Sequence, residues 1–362
     1  MNVDLAEVVR AYLDCRRLKR NTAAALAFEA RLEPNLVALH RDLRADRYRI
    51  GRSICFVVTR PKPREVWAAD FRDRIVHHLL YNRIAPAIHA SFIADSFACI
   101  PGRGTMRAAE RLETHARRVT QNWTRPAHYL KCDIRNFFVG IDKSVLDAQL
   151  AARIADPEWL ALARQILHHD PRADVEMRTP DHLQRLVPPC KRLTEQPAHR
   201  GLPIGNLSSQ FFANVFLDAL DQFAKHDLHA RHYVRYVDDF ILLHPSAAWL
   251  TEAHDAIAAF LPAALGVQLN PAKTIRQPIA RGIDFVGQVI RPHRRNVRRR
   301  TVKAALQRIE HLPRGDLLET VNSTFGLLRQ ASHGRRDRAA LAKAAMARGM
   351  AINRELTKGY RP

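Results

Sequence analysis

Apolar positions along the chain fall into three blocks with different periods. In HYLKCDIRNFFVGIDKSVLDAQL (128–150) a β-rich run from His128 to Ile134 precedes Leu146, Leu150 and Ile154, spaced four apart. This pattern predicts a strand ending at Asp133, a turn, and a helix capped by Ser144. In GLPIGNLSSQFFANVFLDALDQFAKH (201–226) two glycines and a proline precede Phe212, Phe216, Leu220 and Phe223. That predicts a long helix with Asn206 or Ser208 as its cap. In RHYVRYVDDFILLH (231–244) the runs YVRYV and FILL flank Asp238-Asp239, which reads as a hairpin with two carboxylates at its tip. Asp-Asp is a poor two-residue turn, where Asn-Gly or Asp-Gly is preferred. A disfavoured pair at a hairpin tip points to a role beyond turning.

Between the first two blocks, His169 to Arg200 holds Pro171, Pro180, Pro188, Pro189 and Pro197. That density prevents long regular elements and predicts an irregular connection or small insertion. Beyond Arg291 the stretches VKAALQRIEHL, DLLETVNSTFGLLRQ and RAALAKAAMARGM are compatible with helices. The run RPHRRNVRRR opens this segment, which reads as a separate basic helical module.

Charge sharpens the picture. Of the 362 residues, 58 are Lys or Arg and 36 Asp or Glu, a net of +22. The last 72 residues alone hold 18 basic and 5 acidic side chains, a net of +13. A chain this basic calls for a polyanionic partner, and nucleic acid leads. The hydrophobic share of 47% is ordinary for a globular protein and excludes wholesale disorder. The five cysteines (15, 55, 99, 132, 190) form no CxxC pair or metal-like spacing, which suits reduced thiols. Neither a signal peptide nor an 18-residue apolar window is present, so a cytoplasmic location is expected.

The acids suggest the chemistry. Adjacent carboxylates between apolar strands repel each other, and burial raises their pKa values unless a cation sits nearby. Magnesium takes carboxylate oxygens and keeps positions for substrate phosphates. Two such ions about 3.5–4 Å apart can clamp the attacking and leaving oxygens of a phosphoryl transfer. Asp133, at a predicted strand end in another block, can supply a third acid. Taken singly, Asp133 reads as a turn or cap residue. The three acids together with the GLPIG turn and the basic C-terminus point to phosphoryl transfer on nucleic acid.

With these residues in view, YVDD within YVRYVDDFILL resembles the YxDD box of reverse transcriptases. DIRNFF and LPIGNLSSQFFAN resemble the family's first two palm motifs. LNPAKT (269–274) and IDFVGQVI (283–290) resemble the later ones, the last being the primer grip, and RPKPREVWAADFRDRIVHHLLY resembles the bacterial fingers motifs. The order is the family's, from about Asn21 to about Leu328. CRRLKRNTAAALAFEARLEPNLVAL, RDRIVHHLL, SFIADSFACIPGRGT and GLPIGNLSSQ are most similar to the reverse transcriptases of diversity-generating retroelements. Ile100-Pro101 departs from that subgroup, where a basic residue is expected. A bacterial antiviral-defence reverse transcriptase and an inactive RNA-binding scaffold are the competing readings.

The resemblance implies an α+β right-hand polymerase with fingers, a palm whose small antiparallel sheet carries the YVDD hairpin, and a helical thumb. The expected boundaries are 1–127 for an N-terminal extension and fingers, 128–154 and 201–290 for the palm, 155–200 for a fingers or connection insertion, and 291–362 for the thumb and C-terminus. Asp133, Asp238 and Asp239 would be the metal-binding acids, with Asp133 and Asp238 primary and Ile134 offering a carbonyl to Mg2+, two ions in all, with Mn2+ able to substitute. Lys273 would protonate the leaving pyrophosphate, or is a solvated helix-start lysine. Lys62, Arg64, Asn136, Phe137, Phe138, Ile204 and Gly205 would meet the incoming dNTP, Phe138 as a steric gate unless it is core packing. Arg72 and Arg74 instead read as surface partners of Asp70 and Asp73. Tyr236, Val237, Phe285, Val286, Gly287, Arg298, Arg299 and Arg300 would contact primer and template. Most relatives carry glutamine where Ile204 stands, so a polar check on the nucleotide would be lost and copying would be error-prone. Template RNA, a primer or cDNA in RNA–DNA hybrid, dNTPs and a small basic accessory protein are the implied partners, with no membrane.

Overall fold

The computed structural model describes residues 1–17, 22–60 and 62–361. Positions 18–21 of the CRRLKRNT cue and Pro61 of RPKPREVW lie outside the described residues. The elements begin with α1 (Leu5–Arg16), α2 (Ala23–Glu29), α3 (Leu32–Arg44), β1 (Ser53–Val58), β2 (Arg64–Ala68), α4 (Phe71–Ser91) and α5 (Thr105–Val119). Next come β3 (His128–Asp133), α6 (Phe137–Gly140), α7 (Lys143–Ala151), α8 (Pro157–His168), β4 (Val175–Met177), α9 (Asp181–Gln184) and α10 (Leu207–Gln222). The rest are β5 (Tyr233–Tyr236), β6 (Asp239–His244), α11 (Ala247–Phe260), β7 (Ile275–Pro278), β8 (Ile283–Phe285), β9 (Gln288–Arg291), β10 (Arg294–Val297), α12 (Arg299–His311), α13 (Arg314–Leu328), α14 (Arg335–Met346), β11 (Ala351–Ile352) and β12 (Gly359–Tyr360). None of the helices is long and apolar enough to cross a membrane, among the described residues.

The chain forms two compact units that alternate along the sequence. One comprises Met1–Ala94, Asp133–Asp227 and Ala256–Pro271; the other comprises Asp95–Cys132, Leu228–Asp255 and Ala272–Pro362.

In the first unit β1 pairs antiparallel with β2, from Ile54 opposite Ala68 to Val58 opposite Arg64, and β4 runs parallel along the other edge of β1. Trp67, Cys55 and Leu193 pack together on this sheet. Glu65 is buried there and accepts from Trp67 Nε1 (3.2 Å) and from the Leu193 amide (2.8 Å), as an interior carboxylate must. Burial, aided by the Glu65 charge, pushes the Cys55 thiol up to about 12. Helix α10 is buried on almost every face, which suits its mostly apolar sequence. Its Phe211 meets Tyr81 of α4 edge-on at 5.4 Å. Helix α7 is capped by Asp142 rather than Ser144: the Asp142 carboxylate accepts from the Ser144 amide at 2.9 Å. The Pro-rich stretch contains no element longer than four residues, as proline density demands.

Arg72 and Arg74 do not pair as expected. Arg72 reaches Asp42 at 2.8 Å and lies over the Tyr48 ring, and Arg74 Nε donates to Ala69 O at 2.8 Å. Asp70 caps α4, and buried Asp73 accepts from Tyr48 Oη and the Gly51 amide, both at 2.8 Å. Local sequence spacing hid these partners, which come from the preceding helix and loop.

In the second unit the strand order is β5-β6-β3-β7. β5 and β6 form an antiparallel hairpin, and β3 pairs antiparallel with β7 from His128 opposite Pro278 to Lys131 opposite Ile275. Helix α5 lays Ala108, Leu112 and Ala116 into a core with Tyr129, Val234, Ile241, Ile283, Phe285 and Ile290. A three-stranded meander β8-β9-β10 follows. The run RPHRRNVRRR therefore begins as a β9–β10 hairpin, not as the opening of a helical segment. Its turn is Pro292-His293, and the positive φ of His293 (62°) is what a type II turn requires at that position. Helices α12, α13 and α14 match the three helix-compatible stretches and close over a core of Val297, Ile309, Val321, Phe325 and Leu341. Arg295, buried, ties the two cores together. It donates to Glu113 Oε2 (3.0 Å), Gln288 Oε1 (2.7 Å) and Gln330 O (2.6 Å).

Candidate active site

The β5–β6 hairpin carries the expected acids, one residue out of the expected register. Tyr236 pairs with Asp239, so the two-residue turn is Val237-Asp238. Asp239 is the first residue of β6 rather than half of the tip. Val237 has φ of +55°, the sign that a II′ turn demands at its first position and that glycine normally supplies. For a β-branched residue this is strain. Beneath the turn, Arg235 is fully buried and its Nη1 donates to Val237 O at 3.1 Å. The main chain of Arg235 is held in turn by Asp95 O and the Phe97 amide. A strained turn braced from below by a buried cation is over-determined by its surroundings. Tyr236 is half-buried, and burial raises its hydroxyl pKa.

Asp239 is engaged by a residue the sequence analysis did not single out. Lys131 of β3, the neighbour of β6 in the sheet, places Nζ 3.0 Å from Asp239 Oδ2 and 3.0 Å from Asp284 O. The Asp284 carboxylate accepts from Arg298 Nε, and the Arg298 amide donates to Gly287 O at 3.1 Å. Phe285 is fully buried, so its ring supports the β8–β9 hairpin from the core side. Val286 and Gly287 form the turn, both with positive φ (41° and 88°), the type I′ pattern. Arg298 precedes α12, whose first residues Arg299 and Arg300 are exposed. Three cations at a helix N-terminus oppose the helix dipole and favour an anion there. Lys273 ends a short 3₁₀ turn (Pro271–Lys273) and is exposed.

Asp133 closes β3, as the apolar pattern predicts. It is buried, and it is held by Asn270: the Asn270 amide donates to Asp133 O at 2.8 Å and Asn270 Nδ2 to Asp133 Oδ1 at 3.2 Å. Ile134 is buried and bridges Leu269. Asn136 sits in the left-handed region (φ 48°) and starts α6. Of the adjacent rings, Phe137 is buried against Phe216 and Phe138 is half-exposed. Phe137 is therefore a core residue, and Phe138 has the open face.

The GLPIG loop is stitched to β2. Ile204 O accepts from the Trp67 amide at 2.6 Å. Gly205 has φ of +129°, and a Cβ there would stand 2.8 Å from Val66 Cγ1 and 2.9 Å from Trp67 O. Only glycine fits so close a backbone approach. Asn206 is the first residue before α10, yet its side chain does not cap the helix; Oδ1 accepts from the Ala69 amide at 3.0 Å. The loop thus lies against the strand that begins with Arg64, and Lys62 and Arg64 are exposed at that end of the β1–β2 hairpin.

Among the described residues, no three His, Cys, Asp or Glu side chains are grouped to hold a metal ion. The donor chemistry of Asp133, Asp238 and Asp239 is all-oxygen, which fits a hard divalent cation such as magnesium. In the structure the Lys131 ammonium is a positive partner of Asp239.

No curated protein sequence matches the chain. Among solved structures, apo telomerase from Candida tropicalis shares the fold with a TM-score of 0.52 at 12% identity, over 82% of this chain and 56% of that one. Telomerase from Candida albicans, in complex with a fragment of telomeric RNA, aligns with a TM-score of 0.49 at 13% identity, over 89% and 60%. The chain thus spans less than two thirds of these telomerase chains. The family described as "Reverse transcriptase (RNA-dependent DNA polymerase)" matches residues 60–290, which include Asp133, Asp238 and Asp239. With well over half its length in that match, the chain belongs to the reverse transcriptase family.

Proposed function

We propose that this chain extends a DNA primer along an RNA template, with Asp133, Asp238 and Asp239 holding two magnesium ions beside the primer end. The observation that carries this reading is the β5–β6 turn, where strain braced by Arg235 sets two adjacent carboxylates at the end of a buried hairpin. Bound there, the ions would lower the charge barrier between primer hydroxyl and triphosphate. The chain's own groups do the rest. Ile134 lends a carbonyl, Lys62 and Arg64 meet the triphosphate by charge-assisted hydrogen bonds, and Lys273 supplies a proton to the departing pyrophosphate. The half-exposed Phe138 ring blocks a ribose 2′-hydroxyl. In hand-like terms the β1–β2 hairpin and N-terminal helices are the fingers, the four-stranded sheet the palm, and α12–α14 the thumb. Arg298, Arg299 and Arg300 then bind backbone phosphates of the duplex.

Among reverse transcriptases, GLPIGNLSSQ favours the diversity-generating type, with a small basic accessory protein as partner. Ile204 gives this its physical content. Its carbonyl is committed to the Trp67 amide, and its side chain carries no hydrogen-bonding group. Losing one polar contact to the nucleotide is worth about 1–3 kcal/mol of discrimination.

The test is primer extension on an RNA template by the wild type and by the D238A/D239A double variant. Extension by the wild type alone is expected. Equal background from both would leave only a cationic RNA binder. Sequencing the cDNA from wild type and Ile204→Gln tests fidelity. A lower error rate in the variant is expected, and a wild type as accurate as an ordinary reverse transcriptase would remove the diversification reading.

A further inference from the structure

We propose a second nucleic-acid site, a pocket at the β9–β10 turn that takes one unpaired nucleotide of RNA, its phosphate on Arg291 and Arg294 and its base on the ring of Trp123. The site goes beyond the polymerase reading above and does not depend on it.

Ala280, Arg291, Pro292, His293, Arg294 and His333 line a cavity of about 500 Å³, within the range of small-ligand sites. Four of these six side chains are arginine or histidine and none is acidic. Nearby arginines are committed: Arg295 is bonded to Glu113 and Arg298 to Asp284. Among the described residues, Arg291 and Arg294 have no carboxylate partner. Their planar forks match the oxygens of a phosphate. The Arg291 stem packs on Gly282, where a Cβ would stand 3.0 Å from Arg291 Cγ. The His333 wall is stitched to β10: its amide donates to Arg295 O at 3.1 Å, and its carbonyl accepts from Asn296 Nδ2 at 2.9 Å.

An aromatic side chain adjoins this cationic pocket. Trp123 is half-buried against the core of the second unit, and its ring lies 6.2 Å from that of His293 at a tilt of 59°. The two rings form an open wedge rather than a closed stack. Both stand on left-handed backbone. His293 has φ of 62°, and Gln121, Asn122 and Trp123 have 47°, 59° and 70°. Three consecutive non-glycine residues in that region are costly. The turn is held by Arg117 O, which accepts from the Asn122 amide at 2.7 Å, and by Thr120 Oγ1, which accepts from the Trp123 amide at 2.9 Å. Strain held this firmly marks ligand clamps. Unpaired bases stack on aromatic rings beside basic side chains, whereas a duplex keeps its bases inside. The pocket also lies at the other end of β9 from the Val286-Gly287 turn, so it is not the primer contact that the sequence motifs imply.

The test measures binding of the full chain to a fluorescent oligouridylate of about 12 nucleotides and to a blunt RNA–DNA hybrid. R291Q/R294Q should weaken oligouridylate binding about tenfold and flatten its log–log salt slope by about 1.4, for two phosphates at about 0.7 each. W123A should weaken it about tenfold, the scale of one lost base stack, and W123F should recover most of it. All three should bind the hybrid within about twofold of wild type. R299Q/R300Q should do the reverse, losing the hybrid more than the oligouridylate. Photocrosslinking of iodouridine-substituted RNA to the wild type should label the peptides that hold Trp123 or His293. Equal losses for oligouridylate and hybrid, an unchanged salt slope in R291Q/R294Q, or cross-links confined to other peptides would overturn the proposal. So would inorganic phosphate that competes as well as the oligonucleotide, which would make this a free-anion site. R291Q/R294Q lies on a surface turn and decides the matter even where W123A fails to fold. A wild type that binds oligouridylate here yet extends no primer would end the polymerase reading and keep this one.

Discussion

Two hairpins of the second unit solve the same problem differently. The β8–β9 turn is Val286-Gly287 and the β5–β6 turn is Val237-Asp238, each with valine first and at positive φ. In the first, glycine takes the second left-handed position, where it meets nothing within 4 Å of a would-be Cβ. In the second, Asp238 follows with an ordinary negative φ, so the turn is of the II′ rather than the I′ kind, and it is braced by the Arg235 guanidinium and flanked by the Lys131–Asp239 pair. Both turns strain a valine. The second alone recruits a buried arginine and a sheltered lysine to hold the result, which is how strain at a functional turn persists.

The largest expected break in this comparison is Asp238→Gly, which gives the second hairpin the Val-Gly turn of the first. Extension should fall by at least about 10²–10³-fold, the range for loss of one charge-stabilising group. The melting temperature should move by no more than about 2 °C, a small change on the scale of a two-unit chain. A large drop in melting temperature would mean that Asp238 serves folding. Val237→Gly should relieve left-handed strain worth about 1–2 kcal/mol and raise the melting temperature. It should also lower extension severalfold by loosening the Asp238 placement. Unchanged stability there would show that the brace has already absorbed the strain. Gly287→Ala should cost about 1 kcal/mol by calorimetry, from backbone conformation alone, since the added methyl has open space. Val286→Gly relieves left-handed strain of the same kind and should raise the melting temperature by an amount comparable to Val237→Gly, with the mildest change in extension because no acid rides on that turn.

Much of this contrast was legible in the chain. The strand ending at Asp133 follows from apolar spacing, and the three C-terminal helices from their period. The hairpin was legible too, but its register was not. Reading Asp-Asp as the turn treats both acids as equivalent, and the pairing of Tyr236 with Asp239 shows they are not. The Ser144 cap missed because Asp142, two residues earlier, offers the stronger acceptor. Asn206 stands at the cap position of α10 but its side chain bonds the Ala69 amide, just past β2 and 137 residues away. Lys131 and Asn270 were missed for the same reason. Lys131 bonds Asp284 across 153 residues, and Asn270 bonds Asp133 across 137. Periodicity reports which face a residue occupies, not which distant group it will meet. A usable signal was present for Lys131, a charged residue between buried Leu130 and Cys132 in a strand.

The alternation of the two units along the chain has a practical side. The polypeptide passes from one to the other at residues 94/95, 132/133, 227/228, 255/256 and 271/272. A fragment ending anywhere between 95 and 271 therefore leaves both halves missing pieces. Shortening the gene from either end within that span should give aggregates rather than a working half. Splitting the protein into two co-expressed parts would have to regain contacts on both sides of the cut at once.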